Sequence, residues 1–84
     1  MNDDQYKTSD LGITSYMYYQ RTMLVDLDMS DPGRIQFVFD IPDAEGLEIQ
    51  KKWWNGQLLV EPRAFYASLS QIKDMIYGKR RQIR

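Results

Sequence analysis

Two runs of strict alternation mark the middle of the chain. Met23, Val25, Leu27 and Met29 alternate with Leu24, Asp26 and Asp28, and Ile35, Phe37, Phe39 and Ile41 alternate with Gln36, Val38 and Asp40. Successive side chains of a strand point to opposite faces, so each run predicts a strand with one buried and one wetted side. Ser30-Asp31-Pro32-Gly33 lies between them. Proline presets φ at about −65° and glycine accepts positive φ, so the runs are read as an antiparallel hairpin turning there. Pairing Leu27 with Ile35 and Val25 with Phe37 keeps the apolar set together and places Asp28 opposite Arg34.

Helical signals flank the hairpin. Thr8-Ser9-Asp10 offers side-chain oxygens to the free N–H groups of a helix running from about Leu11 to Gln20. Gly12 is unfavourable in its first turn, and Tyr16, Tyr18 and Tyr19 spread round the cylinder without forming one stripe. Asp43 can cap a second helix reaching about Asn55, with Gly56 in the left-handed position after its end. Leu47 and Trp54 share one face of that helix and Ile49 and Trp53 the opposite one, so one pair is expected against the sheet. Gln57-Leu58-Leu59-Val60 is a candidate short edge strand. Pro62 suits the first turn of a last helix, where Phe65, Leu69, Ile72 and Ile76 recur as a core stripe with Met75 alongside. Gly78 is expected to end it. The fold class is α+β, in the order α-β-β-α-(β)-α: a hairpin packed by three helices. Residues 1–7 read as a flexible leader, 8–78 as a single domain and 79–84 as a basic tail.

Composition narrows this picture. Eighty-four residues with 43% apolar content support one core and leave no room for a second. The absence of cysteine excludes disulfides and thiolate chemistry and fits a reducing compartment, so a cytoplasmic location is expected. Met1-Asn2-Asp3-Asp4-Gln5 is unlike the basic start and apolar run of a secretory signal. The apolar runs are too short for a membrane span, and no membrane partner is expected.

Charge is divided along the chain. Residues 1–50 carry three cations against ten acids, a net of −7, and residues 51–84 carry eight against two, a net of +6. Such a split either directs the C-terminal part toward a polyanion or draws the two halves together in the fold.

Catalytic chemistry has little to build on. With no histidine and no cysteine, the commonest general base, metal ligand and nucleophile are missing. The five glycines stand apart, in no phosphate-cradling spacing. Asp26 to Gly33 begins like a calcium loop, yet Asp31 occupies the sixth position and Phe37 the twelfth, where glycine and a bidentate glutamate are needed. No enzyme activity, cofactor, metal or small-molecule substrate is therefore expected.

Binding chemistry is better represented. Lys79, Arg80, Arg81 and Arg84, with Lys73 as a helical contributor, are candidate contacts to nucleic-acid phosphates; the plainer reading is a solvated C-terminus that suits a helix dipole. Asp26, Asp28, Asp40, Asp43 and Glu45, with Ile49 and Trp53, are candidate protein-interface residues. Trp53 and Ile49 are also the candidate contacts of a homodimer. One indole can anchor an interface or stack on a base, unless both pack internally.

Several segments resemble a known family. They are Thr8-Ser9-Asp10-Leu11, the run Arg34-Ile35-Gln36-Phe37-Val38-Phe39-Asp40, and Trp53-Trp54-Asn55-Gly56-Gln57-Leu58-Leu59-Val60-Glu61-Pro62-Arg63-Ala64-Phe65, continued by Leu69, Ile72, Lys73, Ile76 and Tyr77. Together they are similar to a family of small bacterial and phage proteins known as a domain of unknown function, across most of residues 8–77. Gly12, the extra tyrosines and the basic tail depart from its pattern. The resemblance implies a fold and a bacterial or mobile-element setting, and no catalytic role. The expected function is a small non-catalytic binding module that touches nucleic acid or a nucleoprotein through its basic C-terminal end. The alternative is a protein-directed inhibitor or assembly adaptor using the acidic face and an aromatic patch.

Overall fold

The computed structural model describes residues 5–31 and 33–82. Its elements run β1 (Gln5–Thr8), α1 (Leu11–Tyr19), β2 (Leu24–Asp31), β3 (Arg34–Pro42), α2 (Asp43–Trp54) and α3 (Pro62–Gln82). The class is α+β, with three helices and a three-stranded antiparallel sheet in the order β1-β3-β2.

The third strand is β1, in the segment read as a flexible leader, while residues 57–60 form none. The segment Gln5-Tyr6-Lys7-Thr8 is short and half polar, which hides it from a periodicity search. It nonetheless alternates: Tyr6 and Thr8 are buried and Lys7 is exposed. Tyr6 lies opposite Phe39 and Thr8 opposite Phe37.

The hairpin forms in a different register from the one expected. Leu27 faces Phe37 and Asp28 faces Gln36, a shift of two residues. Such a shift leaves every side chain on its original face, so the apolar pattern cannot choose between the two registers. Irregular backbone decides instead. Between Leu24 and Asp26 the pairing advances by one residue on β3, making Val25 an extra residue in the manner of a bulge. Leu24 and Leu27 consequently pack on the core, and Met23 and Val25, expected inside, are exposed. The second irregularity lies between Asp28 and Asp31, where Asp28 Oδ1 accepts from the Ser30 N–H at 3.0 Å and hydroxyl at 2.7 Å. Arg34 pairs with Asp31, not with Asp28. Pro32, assigned to the turn from its sequence, lies outside the described residues.

The core consists of Tyr6, Ile13, Met17, Phe37, Phe39 and Ile72, drawn from β1, α1, β3 and α3. Asp10 caps α1, its Oδ1 accepting from the Ile13 N–H at 3.0 Å. Ile13, Thr14, Ser15 and Met17 are all buried, so α1 is enclosed on several sides and a single apolar stripe would not serve it. Its end closes with Arg21 at φ 64°: the Arg21 N–H bonds to the Tyr18 carbonyl and the Thr22 N–H to that of Met17. α2 ends the same way with Gly56 at φ 67°, the residue expected there. At the start of α2 the cap is Pro42, with no side-chain hydrogen bond. Asp43, expected as the cap, is instead the first helical residue, where its charge and that of Glu45 suit the helix dipole.

Gly46 faces the Tyr6 ring so closely that a Cβ there would overlap it, and Gly12 faces the indole of Trp53 in the same way. The Tyr6 hydroxyl donates to Gln50 Oε1 at 2.5 Å, one turn beyond Gly46. Burial holds the Tyr6 hydroxyl above its ordinary pKa, a contact with Thr8 opposes this, and the carboxylates of Asp10 and Asp43 add to the rise.

Candidate nucleic-acid interface

α3 carries the basic candidates, and its start is firmly fixed. Pro62 occupies the first helical position. Glu61, just before it, accepts from the N–H groups of Arg63 at 3.2 Å and Ala64 at 2.8 Å. The Glu61 N–H in turn donates to the Tyr19 hydroxyl at 3.0 Å, tying this end of α3 to α1. On the inner side Ile72 is fully buried, Met75 and Ile76 pack on the core, and Phe65 stacks on Trp53 with ring centroids 6.0 Å apart.

The outer side is wet and aromatic. Tyr66 is 68% exposed and Tyr77 56%, with Lys73 exposed between them. Positions 66, 73 and 77 are spaced i, i+7, i+11, so they fall nearly in line along the helix. Tyr66 and Tyr77 were both absent from the sequence-based site candidates, although the same spacing that identified the inner stripe also finds this outer one.

α3 does not stop at Gly78. It continues to Gln82, bringing Lys79, Arg80 and Arg81 into its final turn. One glycine costs a helix only about 1 kcal/mol, and the Lys-Arg-Arg-Gln that follows consists of good helix formers. Residues 62–82 carry Arg63, Lys73, Lys79, Arg80 and Arg81 against Asp74, a net of +4. Arg84 lies outside the described residues.

The acidic candidates fall into two groups. Asp26, Asp28 and Asp40 share the face of the sheet opposite Phe37 and Phe39, together with Lys7, Gln36 and Val38. Asp43 and Glu45 sit in the first turn of α2. Lys7 reaches Asp28 at 3.7 Å from the other flank of β3. Among the described side chains, which on α3 reach Gly78, no ion pair joins the N-terminal acids to the C-terminal cations.

The Ser30 N–H and hydroxyl lower the Asp28 pKa, slight burial opposes this, and the Lys7 ammonium lowers it further. A carboxylate depressed in the folded state adds stability above its unfolded value, near about pH 4, and that stability disappears as the pH falls through the folded value. Asp28→Asn is therefore expected to flatten the loss of stability below about pH 4 in urea unfolding measured across pH. Parallel curves for the two proteins would remove this role.

Ile49 and Trp53, expected at a protein or homodimer interface, are turned inward. Both pack against the core, and Trp53 lies among Gly12, Tyr16 and Phe65. The exposed pair is Leu47 and Trp54, with Trp54 66% exposed. An open groove of about 940 Å³ runs between the end of α1 and α3, lined by Tyr18, Arg21, Met23, Leu24, Gln71 and Met75 among others. Among the described residues no three carboxylates converge as a metal site would need, and no helix is long and apolar enough to cross a membrane.

Comparison with family models, curated proteins and solved structures found no match to this chain.

Proposed function

We propose that this chain is a non-catalytic binding module of bacterial, phage or mobile-element origin that contacts nucleic acid, bare or within a nucleoprotein. The contact is made by the basic end of α3 and the residues after it. The observation that carries this reading is the continuation of α3 through Gly78, which sets Lys79, Arg80 and Arg81 on the same helix as Lys73. Positions 73 and 80, seven apart, fall nearly in line on that helix, so cations there can meet phosphates without each stretch of backbone being ordered separately. With Arg84 they make five candidate phosphate contacts.

The expected result is binding to a fluorescent oligonucleotide that weakens about a hundredfold between about 50 and 200 mM salt, and that is lost when residues 79–84 are removed. No binding even at low salt, or binding indifferent to that truncation, rejects the proposal.

A second reading rests on the exposed carboxylates of Asp26 and Asp40, which share one sheet face with Asp28. That face fits a basic groove on another protein, with Trp54 as a candidate anchor in place of Trp53. Charge reversal at Asp26 and Asp40 is expected to release such a partner and leave nucleic-acid binding intact.

A further inference from the structure

Resting on the polyanion reading of α3, we infer that the module prefers single-stranded nucleic acid, gripped by Tyr66 and Tyr77 stacking on bases while Lys73 meets the backbone between them. Tyr66 and Tyr77 are more than half exposed although both lie on a helix whose other side is buried against the core. Eleven residues separate them, about 16 Å of helix, and Lys73 stands nearly in line with both.

The alternation of aromatic and cationic groups matters because the two polymers offer different surfaces. A duplex shows phosphates to a side-on helix and keeps its base faces stacked inside, so exposed tyrosine rings gain nothing from it. A single strand presents base faces and phosphates together, and aromatic stacking tolerates any base because each has a π-face. Direct readout of a major groove calls for several arginine, lysine, asparagine or glutamine side chains aimed at base edges, and this stripe offers one. At positions 66, 70, 73 and 77 this chain has Tyr, Ser, Lys and Tyr. The outer face of α3 is therefore suited to stacking and poorly equipped for reading sequence.

The two tyrosines separate this inference from the general proposal, because Lys73 serves both. The cations after Gly78 attract any polyanion, whereas the tyrosines discriminate by strandedness. Removing the rings should abolish the preference and leave the salt-dependent attraction.

The test compares a fluorescein-labelled oligothymidylate with its duplex on oligoadenylate, at equal length and low salt, for the full chain and for Tyr66→Ala, Tyr77→Ala and the two phenylalanine variants. Both positions are exposed, and unchanged circular dichroism is expected to show the fold intact. The expected result is tighter binding to the single strand, weakened about tenfold by each alanine and retained by each phenylalanine, with duplex binding unchanged. Equal affinity for strand and duplex, or alanine variants that bind the strand as the parent does, overturns the stacking role while the polyanion reading stands. Absence of binding to either polymer overturns both.

Discussion

Phe39→Ala should cost about 3–5 kcal/mol, among the largest losses a single side chain of this domain can produce. Phe39 is fully buried in the central strand, with Tyr6 of β1 on one side of the ladder and Leu24 of β2 on the other. Deleting its ring opens a cavity that neither flanking strand can fill without breaking its own pairing with β3. A domain of this length has a total stability of about 4–13 kcal/mol, so this one side chain accounts for a large share. Trp54→Ala, which removes a larger but mostly exposed ring, should change stability by only about 0.5 kcal/mol. Urea unfolding followed by circular dichroism measures both. A Phe39→Ala protein within about 1 kcal/mol of the parent would contradict the placement of this ring at the centre of the core.

Gly46→Ala should destabilise the domain by about 2–3 kcal/mol, although alanine favours a helix interior over glycine by about 1 kcal/mol. The added methyl falls on the ring of Tyr6, which is buried and held at its hydroxyl by Gln50 of the same helix. Pairing of β1 with β3 fixes the other end of the residue, so the ring has no free direction in which to yield. In a Tyr6→Ala background the same change should reverse sign and stabilise by up to about 1 kcal/mol, because only the helix preference remains. A single Gly46→Ala variant more stable than the parent would show that α2 does not approach β1 this closely.

Gly46 also explains what the sequence made legible and what it did not. Helical periodicity separates Ile49 and Trp53 from Leu47 and Trp54, and the structure keeps that division. Which pair turns inward is a separate question. Gly46 lies on the side of Ile49 and Trp53, and a residue without a side chain on that face is what allows the helix to meet Tyr6. In the sequence Gly46 stood only as one of five isolated glycines, and Gly12, beneath Trp53, as an unfavourable helix residue.

The alternation of β3 was unambiguous: Phe37 and Phe39 are inside as expected and Ile35 and Ile41 pack partly against the core, while Val38, expected on the wetted face, is also buried. Register was not legible, because sliding one strand by two residues preserves every face. Local hydrogen bonds at Asp28 and an extra residue at Val25 accompany the register adopted. β1 escaped notice because it is short and its pairing partner is distant in sequence. For the candidate site, the cations were legible as a charge run. Their position on a continuing helix, and the exposed tyrosines in line with Lys73, required knowledge of which side of α3 is buried.

The distance between paired strands orders events during synthesis. Leu27 meets Phe37 ten residues later, whereas Tyr6 waits for Phe39, thirty-three residues on. Closing the longer loop costs about 1 kcal/mol more. At roughly 5–20 residues per second, Tyr6 spends about 2–7 s on the nascent chain before its neighbour has been added. Ile72 follows Phe39 by another thirty-three positions. The ribosome therefore releases a hairpin first, an N-terminal strand able to dock next, and a finished interior only once α3 has emerged.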